Sequence, residues 1–289
     1  MSTKVIAGFG DIADAYDALI VDLWGVTHNG RTLYPDAVAA FDMAKAAGKQ
    51  IIFLSNAPRR ANNVFGQLDT YGLDRALYDD VVTSGEAAWD WIRSQAGKEA
   101  LGGRCYHLGA GEKDANMRVG LDVEFVDDVT TATFILNTGP EDAVTTLAGF
   151  QPLLVQAQAA SVPMVCANPD LSVFRGAVEE LCAGAIAEAY EAMGGVVHWF
   201  GKPWQEVYDR CLDKLAGIDP GRVICIGDSM RTDISGANRA KLHSLLVATG
   251  LRGTDLLTAD SQCIDVDGLH RLTNEYAVTP TFACVALKP

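Results

Sequence analysis

No stretch of this chain approaches eighteen consecutive apolar residues, so no segment reads as a membrane-spanning helix. No C-x-x-C pair occurs either: seven cysteines, an odd number, lie scattered from Cys105 to Cys284. A disulfide framework is therefore disfavoured, and reduced, mostly buried thiols are expected. The five histidines are equally dispersed, which gives zinc little to bind. Positive charge is scarce: 23 Lys and Arg stand against 37 Asp and Glu, a net charge of −14. Such a surface repels phosphate backbones and anionic lipid, so neither nucleic acid nor a membrane is an expected partner. The opening residues lack a basic start, a long apolar stretch and a small-residue cleavage site. They do not read as a signal peptide, and the expected location is cytoplasmic.

What is present is a globular composition, 49% apolar and 21% charged, over 289 residues, enough for one large or two modest domains. Apolar runs alternate with helical patterns. ALIVDL precedes a helix expected from Asp36 to Ala47, with Val38, Phe41, Met43 and Ala44 as its buried stripe. QIIFLSN precedes a helix near Arg60 to Tyr71, and RVICIGDS one around Asp233 to Ala240, followed by HSLLVA. Near-continuous apolar strands between helices predict an α/β fold, a doubly wound parallel sheet covered on both faces. A second alternating set, RCYHLG, TFILNTG and VPMVCANPD, is too long for a loop. The expected organisation is a discontinuous core of residues 1–85 and 198–289 with an inserted α/β domain at 86–197.

Ligands of such sheets bind beyond the carboxyl ends of strands, where Asp22, Ser55 and Asp228 all fall. Phosphoryl transfer to a carboxylate needs a nucleophile, a cation to offset like charge, and donors for the phosphoryl oxygens. Asp22 can attack, and Asp228 can help hold Mg²⁺, a hard cation served by carboxylate oxygens. Ser55 can donate a hydrogen bond to the phosphoryl group, and Lys202 can place a compact positive charge beside it. Asp233, one helical turn past Asp228, is either a further ligand or a residue that orients one.

Each residue also has a plain structural reading. Asp22 could cap a turn, and Ser55 and Asn56 could cap the turn that follows them. Lys202 could be a solvated residue at a helix start, and Asp228 and Asp233 could face a helix dipole. Asn168 and Asp170 could make an Asx turn before a helix. Arg59 and Arg60 read as solvated side chains. The set, more than any member, favours function.

Taken in order, Asp22-Leu23-Trp24-Gly25-Val26, Ser55-Asn56, Gly201-Lys202-Pro203 and Gly227-Asp228-Ser229-Met230-Arg231-Thr232-Asp233 resemble the four motifs of the haloacid dehalogenase (HAD) superfamily. GDSMRTDISGA and GKP look most like its NagD-like, nitrophenylphosphatase-type branch, with an α/β cap inserted after the second motif. ANPD, Ala167 to Asp170, resembles that branch's cap segment. The resemblance runs to about Arg252. It implies a Mg²⁺-dependent phosphatase-like hydrolase acting on a small phosphorylated metabolite through an aspartyl-phosphate. It also implies Mg²⁺ bound by Asp22, Asp228 and the Trp24 carbonyl, with the phosphoryl group held by Ser55 and Lys202. Asn56, Asn168 and Asp170 would lie toward phosphate or substrate.

Trp24 departs from the pattern, because the family has a second Asp there. Its carbonyl role survives any side chain; the acid–base role does not, since indole donates one hydrogen bond and cannot cycle a proton. Trp24 equally suits core packing and shaping of the pocket. His28 becomes a substitute acid only if its loop folds back; the default is an exposed loop histidine. The departure leaves two alternatives: a non-catalytic protein that binds Mg²⁺ and a phosphorylated metabolite, and a Mg²⁺-independent dehalogenase-like hydrolase. The sequence fixes neither the substrate nor the oligomeric state, and a homodimer is compatible with it.

Overall fold

Fourteen short strands alternate with helices in the computed structural model, which describes all residues except 1–2, 110, 142–145, 176–177 and 251. In chain order they begin with β1 (Lys4–Val5), β2 (Ala18–Val21), β3 (Gln50–Ser55), β4 (Asp80–Thr83), β5 (Arg104–Leu108) and β6 (Glu124–Phe125). β7 (Phe134–Asn137), β8 (Met164–Cys166), β9 (Ser172–Arg175), β10 (Val178–Leu181) and β11 (Val197–Trp199) follow. β12 (Val223–Gly227), β13 (His243–Val247) and β14 (Phe282–Cys284) complete the set.

The chain divides into two units. The first comprises Met1–Ser55, Phe65–Val82 and Lys202–Pro289; the second comprises Asn56–Val64 and Thr83–Gly201. The first is built on a seven-stranded sheet of order β1-β14-β13-β12-β2-β3-β4. β1/β14, β14/β13, β13/β12, β12/β2 and β2/β3 all pair in parallel. Every residue of β2 and β12 is buried, as expected of central strands covered on both faces. The helix Pro35–Ala46 opens with Pro35 in its first turn, where the missing N–H costs nothing. It buries Phe41 and Ala44 of the expected stripe, together with Ala37 and Ala40, while Val38 and Met43 are only partly buried.

The second unit carries its own five-stranded sheet, β11-β8-β7-β5-β6, paired in parallel, plus the antiparallel hairpin β9/β10. Its core gathers Leu108, Ile135, Leu154, Met164, Ile186 and Tyr190. Three expectations change here. Arg60 is partly buried and paired: it forms a bidentate pair with Glu86 at 2.7 and 2.8 Å, and its guanidinium lies 3.4 Å from the Trp89 ring centroid. Arg59 stands 3.5 Å from the buried carboxylate of Asp114. Asn168 does form an Asx turn, accepting from the Asp170 N–H at 2.9 Å, but the β9/β10 hairpin follows it, not a helix.

No helix among the described residues is long and apolar enough to cross a membrane. No disulfide joins any of the seven cysteines, six of which are buried and one, Cys263, exposed.

Candidate active site

Register explains why Asp22 and Asp228 are neighbours. Val21 pairs with Ile226 across β2/β12, and the Asp22 N–H donates to the Ile226 carbonyl at 2.9 Å. Each Asp therefore stands one residue beyond its strand, at the carboxyl edge where parallel sheets bind ligands. Ser55 ends β3 on the neighbouring side and is buried.

The helix expected from Asp233 begins earlier and in a wider form. Met230–Ile234 make a π turn, with the Ile234 N–H reaching back to the Ser229 carbonyl at 3.1 Å, before an α-helix at Ser235–Arg239. π turns recur at functional sites because the extra residue in the turn re-aims side chains. Here the Ser229 N–H donates to Asp233 Oδ2 at 3.2 Å, which folds that carboxylate back toward the strand end.

The outcome is a cluster of three carboxylates. Asp22, Asp228 and Asp233 are buried, and one oxygen of each lies within 4.8 Å of the others. Lys202, 3% exposed, donates from Nζ to Asp22 Oδ1 at 2.6 Å and to Asp233 Oδ1 at 2.8 Å. One ammonium against three carboxylates leaves surplus negative charge out of water, which a further cation would neutralise. Burial pushes the Asp22 carboxyl well above the usual carboxylate range. The Lys202 ammonium pulls it back, while Asp233 and Asp228 raise it further. A divalent ion would reverse that balance by favouring the ionised form.

Glycines shape the space for these carboxylates. A Cβ added at Gly25 would lie 2.4 Å from Asp228 Oδ2, and one at Gly250 only 1.5 Å from the same oxygen. A Cβ at Gly227 would lie 2.1 Å from Asp233 Cγ. Gly25 also has φ +85°, which disfavours any side chain. Thr249 ties this wall together by donating to the Gly25 carbonyl at 2.6 Å. All-oxygen donors on hard carboxylates, in a cradle that side chains would fill, fit Mg²⁺.

Thr249 and Gly250 were not among the sequence-derived candidates. The signal was available, since they lie in the turn just past β13, at the same carboxyl edge of the sheet as Asp22 and Asp228. Tyr34 was also missed. Its phenol is pushed upward by burial and by the charge of Asp228, which places it in electrostatic reach of the cluster.

The other predicted residues have different neighbours. In the second unit, Asn56 Nδ2 donates to Asp170 Oδ1 at 2.8 Å, which joins the residue after β3 to the turn after β8. Asn168 shapes that same turn. His28 is not an exposed loop histidine but buried, 3% exposed. Its Nδ1 accepts the Gly30 N–H at 3.1 Å, and burial lowers its pKa to about 4. Its ring lies edge-on to Trp24, with centroids 5.4 Å apart, and to Tyr71 at 5.0 Å.

The chain is similar to known proteins in sequence and in fold. Residues 19–120 match a model described as haloacid dehalogenase-like hydrolase, and residues 199–268 match a second, HAD-hydrolase-like model. A hydrolase of the haloacid dehalogenase-like family from Brucella suis superposes with a TM-score of 0.83 at 33% identity, covering 98% of this chain and all of that one. D-glycerol 3-phosphate phosphatase of Mycobacterium tuberculosis is 31% identical over 83% of this chain, which spans 65% of that relative's length. A glycerol phosphate phosphatase structure from the same organism, in complex with magnesium, shares the fold at TM-score 0.68 and 24% identity, covering 95% of this chain and 76% of that one. Ribonucleotide monophosphatase NagD of Escherichia coli is 26% identical over 82% of this chain and 89% of its own. The chain belongs to the haloacid dehalogenase-like hydrolases, in their NagD-like branch.

Proposed function

We propose that the chain is a Mg²⁺-dependent phosphoric monoester hydrolase for a small phosphorylated metabolite, working through Asp22. The convergence of Asp22, Asp228, Asp233 and Lys202 at one sheet edge carries this reading. Relatives that are phosphatases for glycerol phosphate and ribonucleotide monophosphates support it.

In this reading an Asp22 carboxylate oxygen attacks phosphorus as the bond from phosphorus to the ester oxygen breaks. Water then attacks phosphorus, releases inorganic phosphate and restores Asp22. Lys202 fixes the Asp22 carboxylate by its 2.6 Å bond and places positive charge where the phosphoryl oxygens arrive. Asp233 holds Lys202 from the other side. Ser55, buried at the end of β3, offers its hydroxyl to the phosphoryl group. Asp22, Asp228 and the Trp24 carbonyl would hold Mg²⁺, whose charge offsets repulsion between the carboxylate and the incoming phosphate. The second unit acts as the cap, with the Asn56–Asp170 bond tethering the segment that follows Ser55. Seven cysteines that form no disulfide support a reducing compartment. Three clustered carboxylates favour this reading over a Mg²⁺-independent dehalogenase, which has no use for a cation cradle.

A panel of phosphate esters, assayed with Mg²⁺ for phosphate release, tests the reading beside Asp22→Asn. Turnover that disappears in Asp22→Asn, with a phosphorylated aspartate trapped in the wild type, is expected. No turnover on any ester, or turnover unchanged in the variant, would sink it.

A further inference from the structure

The loop that leaves Asp22 is built around one aromatic ring. The partly exposed indole of Trp24 packs edge-on against His28, at 5.4 Å and 74°, and His28 packs edge-on against Tyr71, at 5.0 Å and 62°. Backbone bonds close the loop behind them. The Gly25 N–H donates to the His28 carbonyl at 2.9 Å, and the Gly30 N–H to His28 Nδ1 at 3.1 Å. The Tyr71 hydroxyl donates to the Gly30 carbonyl at 2.9 Å and accepts from Gln67 at 2.8 Å. Gly30 itself has φ +81°, and a Cβ there would lie 2.4 Å from Cη2 of the indole. Glycine is needed at Gly30 both for its backbone and for the ring.

The indole meets the His28 ring and stands over Gly30, and Tyr71 holds both of those in place, an arrangement built around the ring. We infer that Trp24 is the specificity-determining residue of this site, a fixed aromatic wall that selects phosphates whose ester oxygen is bonded to an sp² carbon. Aryl, enol and acyl phosphates share that chemistry. The inference rests on the phosphatase reading of Asp22. His28 is a positioning residue, because its Nδ1 lone pair is occupied by Gly30 and its ring is wedged between two others.

The chemistry follows from the proton count. The Asp22 oxygen–phosphorus bond forms, the phosphorus–ester oxygen bond breaks, and the electron pair leaves on that oxygen. An oxygen on an sp² carbon departs as phenolate, enolate or carboxylate and delocalises the charge without taking a proton. An oxygen on an sp³ carbon departs as an alkoxide, which needs a donor. Indole cannot supply one, because its N–H does not exchange with an acceptor state. The Lys202 ammonium is bonded to two carboxylates. Positioned acid catalysis is typically worth ~10²–10⁴-fold, so its lack separates the two substrate classes by that factor.

Phenyl, acetyl and benzyl phosphate, assayed with Mg²⁺, test this directly. We expect kcat/KM for phenyl and acetyl phosphate to exceed that for benzyl phosphate by ~100-fold or more. Trp24→Asp should narrow the gap by raising benzyl phosphate turnover, and Trp24→Phe should keep it. His28→Ala should lower all three rates together with the gap intact, and His28→Phe, which preserves a ring, should recover them. A wild-type gap below tenfold, or one that widens in His28→Ala because benzyl phosphate alone slows, overturns the inference. Loss of all turnover in the wild type removes the phosphatase reading with it, whereas turnover without a gap removes this inference alone.

Discussion

Lys202 and Asp22 stand 180 positions apart in sequence, yet meet at 2.6 Å with both side chains buried. The same ammonium bonds Asp233, so one point charge holds two carboxylates that would otherwise repel. A guanidinium is broader and planar and does not fit between two anions in this way. Lys202→Met should therefore lower kcat by ~10²–10³-fold, the usual loss when one electrostatic donor goes. It should also destabilise the metal-free protein by about 3–5 kcal/mol in urea melts, because buried charges lose their partner. Lys202→Arg should recover stability better than rate.

Cation binding should be visible without any substrate. Mg²⁺ at a hundredfold excess over its Kd adds ~2.7 kcal/mol to the folded state, so the thermal midpoint should rise with Mg²⁺ concentration. Asp228→Asn, which keeps the shape and removes the charge, should abolish most of that rise. An equal rise in the variant would place the cation elsewhere.

The glycine cradle makes a separate prediction. Gly250→Ala puts a carbon into the Asp228 carboxylate, which must swing away. Mg²⁺ affinity, read by calorimetry, should fall at least tenfold, while far-UV circular dichroism stays that of the wild type. Gly30→Ala adds backbone strain to a clash with Trp24 and should cost ~1–3 kcal/mol of stability.

His107 should govern acid sensitivity in the second unit. Its Nδ1 accepts from Arg118 Nε at 2.9 Å, and Nε2 faces Thr138 Oγ1 at 3.1 Å. Burial first, then the Arg118 charge, lowers its pKa to about 4, against a smaller upward push from Asp114. The unfolded chain takes up the proton first, so stability present above pH 6.5 is lost as pH falls toward 4. At pH 5 the loss is about 2 kcal/mol relative to pH 7. His107→Gln, which can keep both bonds without titrating, should remove that difference from paired urea melts.

Much of the core fold was legible because central parallel strands are apolar throughout: ALIV, QIIFLS and VICIG read as buried strands from composition alone. Asp22, Ser55 and Asp228 were legible through one rule, polar residues at strand ends. Thr249 and Gly250 were passed over because they lie past the end of β13 and no charged residue or motif there drew attention to them. The edge strand β1 and its neighbour β14 gave little signal, being two and three residues long. The π turn was invisible because it is defined by a backbone bond from the Ile234 N–H to the Ser229 carbonyl, which no residue preference marks. His28 and Arg60 were misread as exposed because polar side chains default to the surface. Only tertiary partners, Trp24 and Tyr71 for one and Glu86 and Trp89 for the other, draw them in.

The β2/β12 seam, where Val21 pairs with Ile226, joins the two halves of the first unit's sheet. Nothing local can zip it, since the whole second unit intervenes and the entropy of closing that span is met before any pairing rewards it. Fragments severed within that intervening stretch each carry an incomplete charge cluster, Asp22 on one and Lys202, Asp228 and Asp233 on the other. Activity regained on mixing them would report closure of that seam.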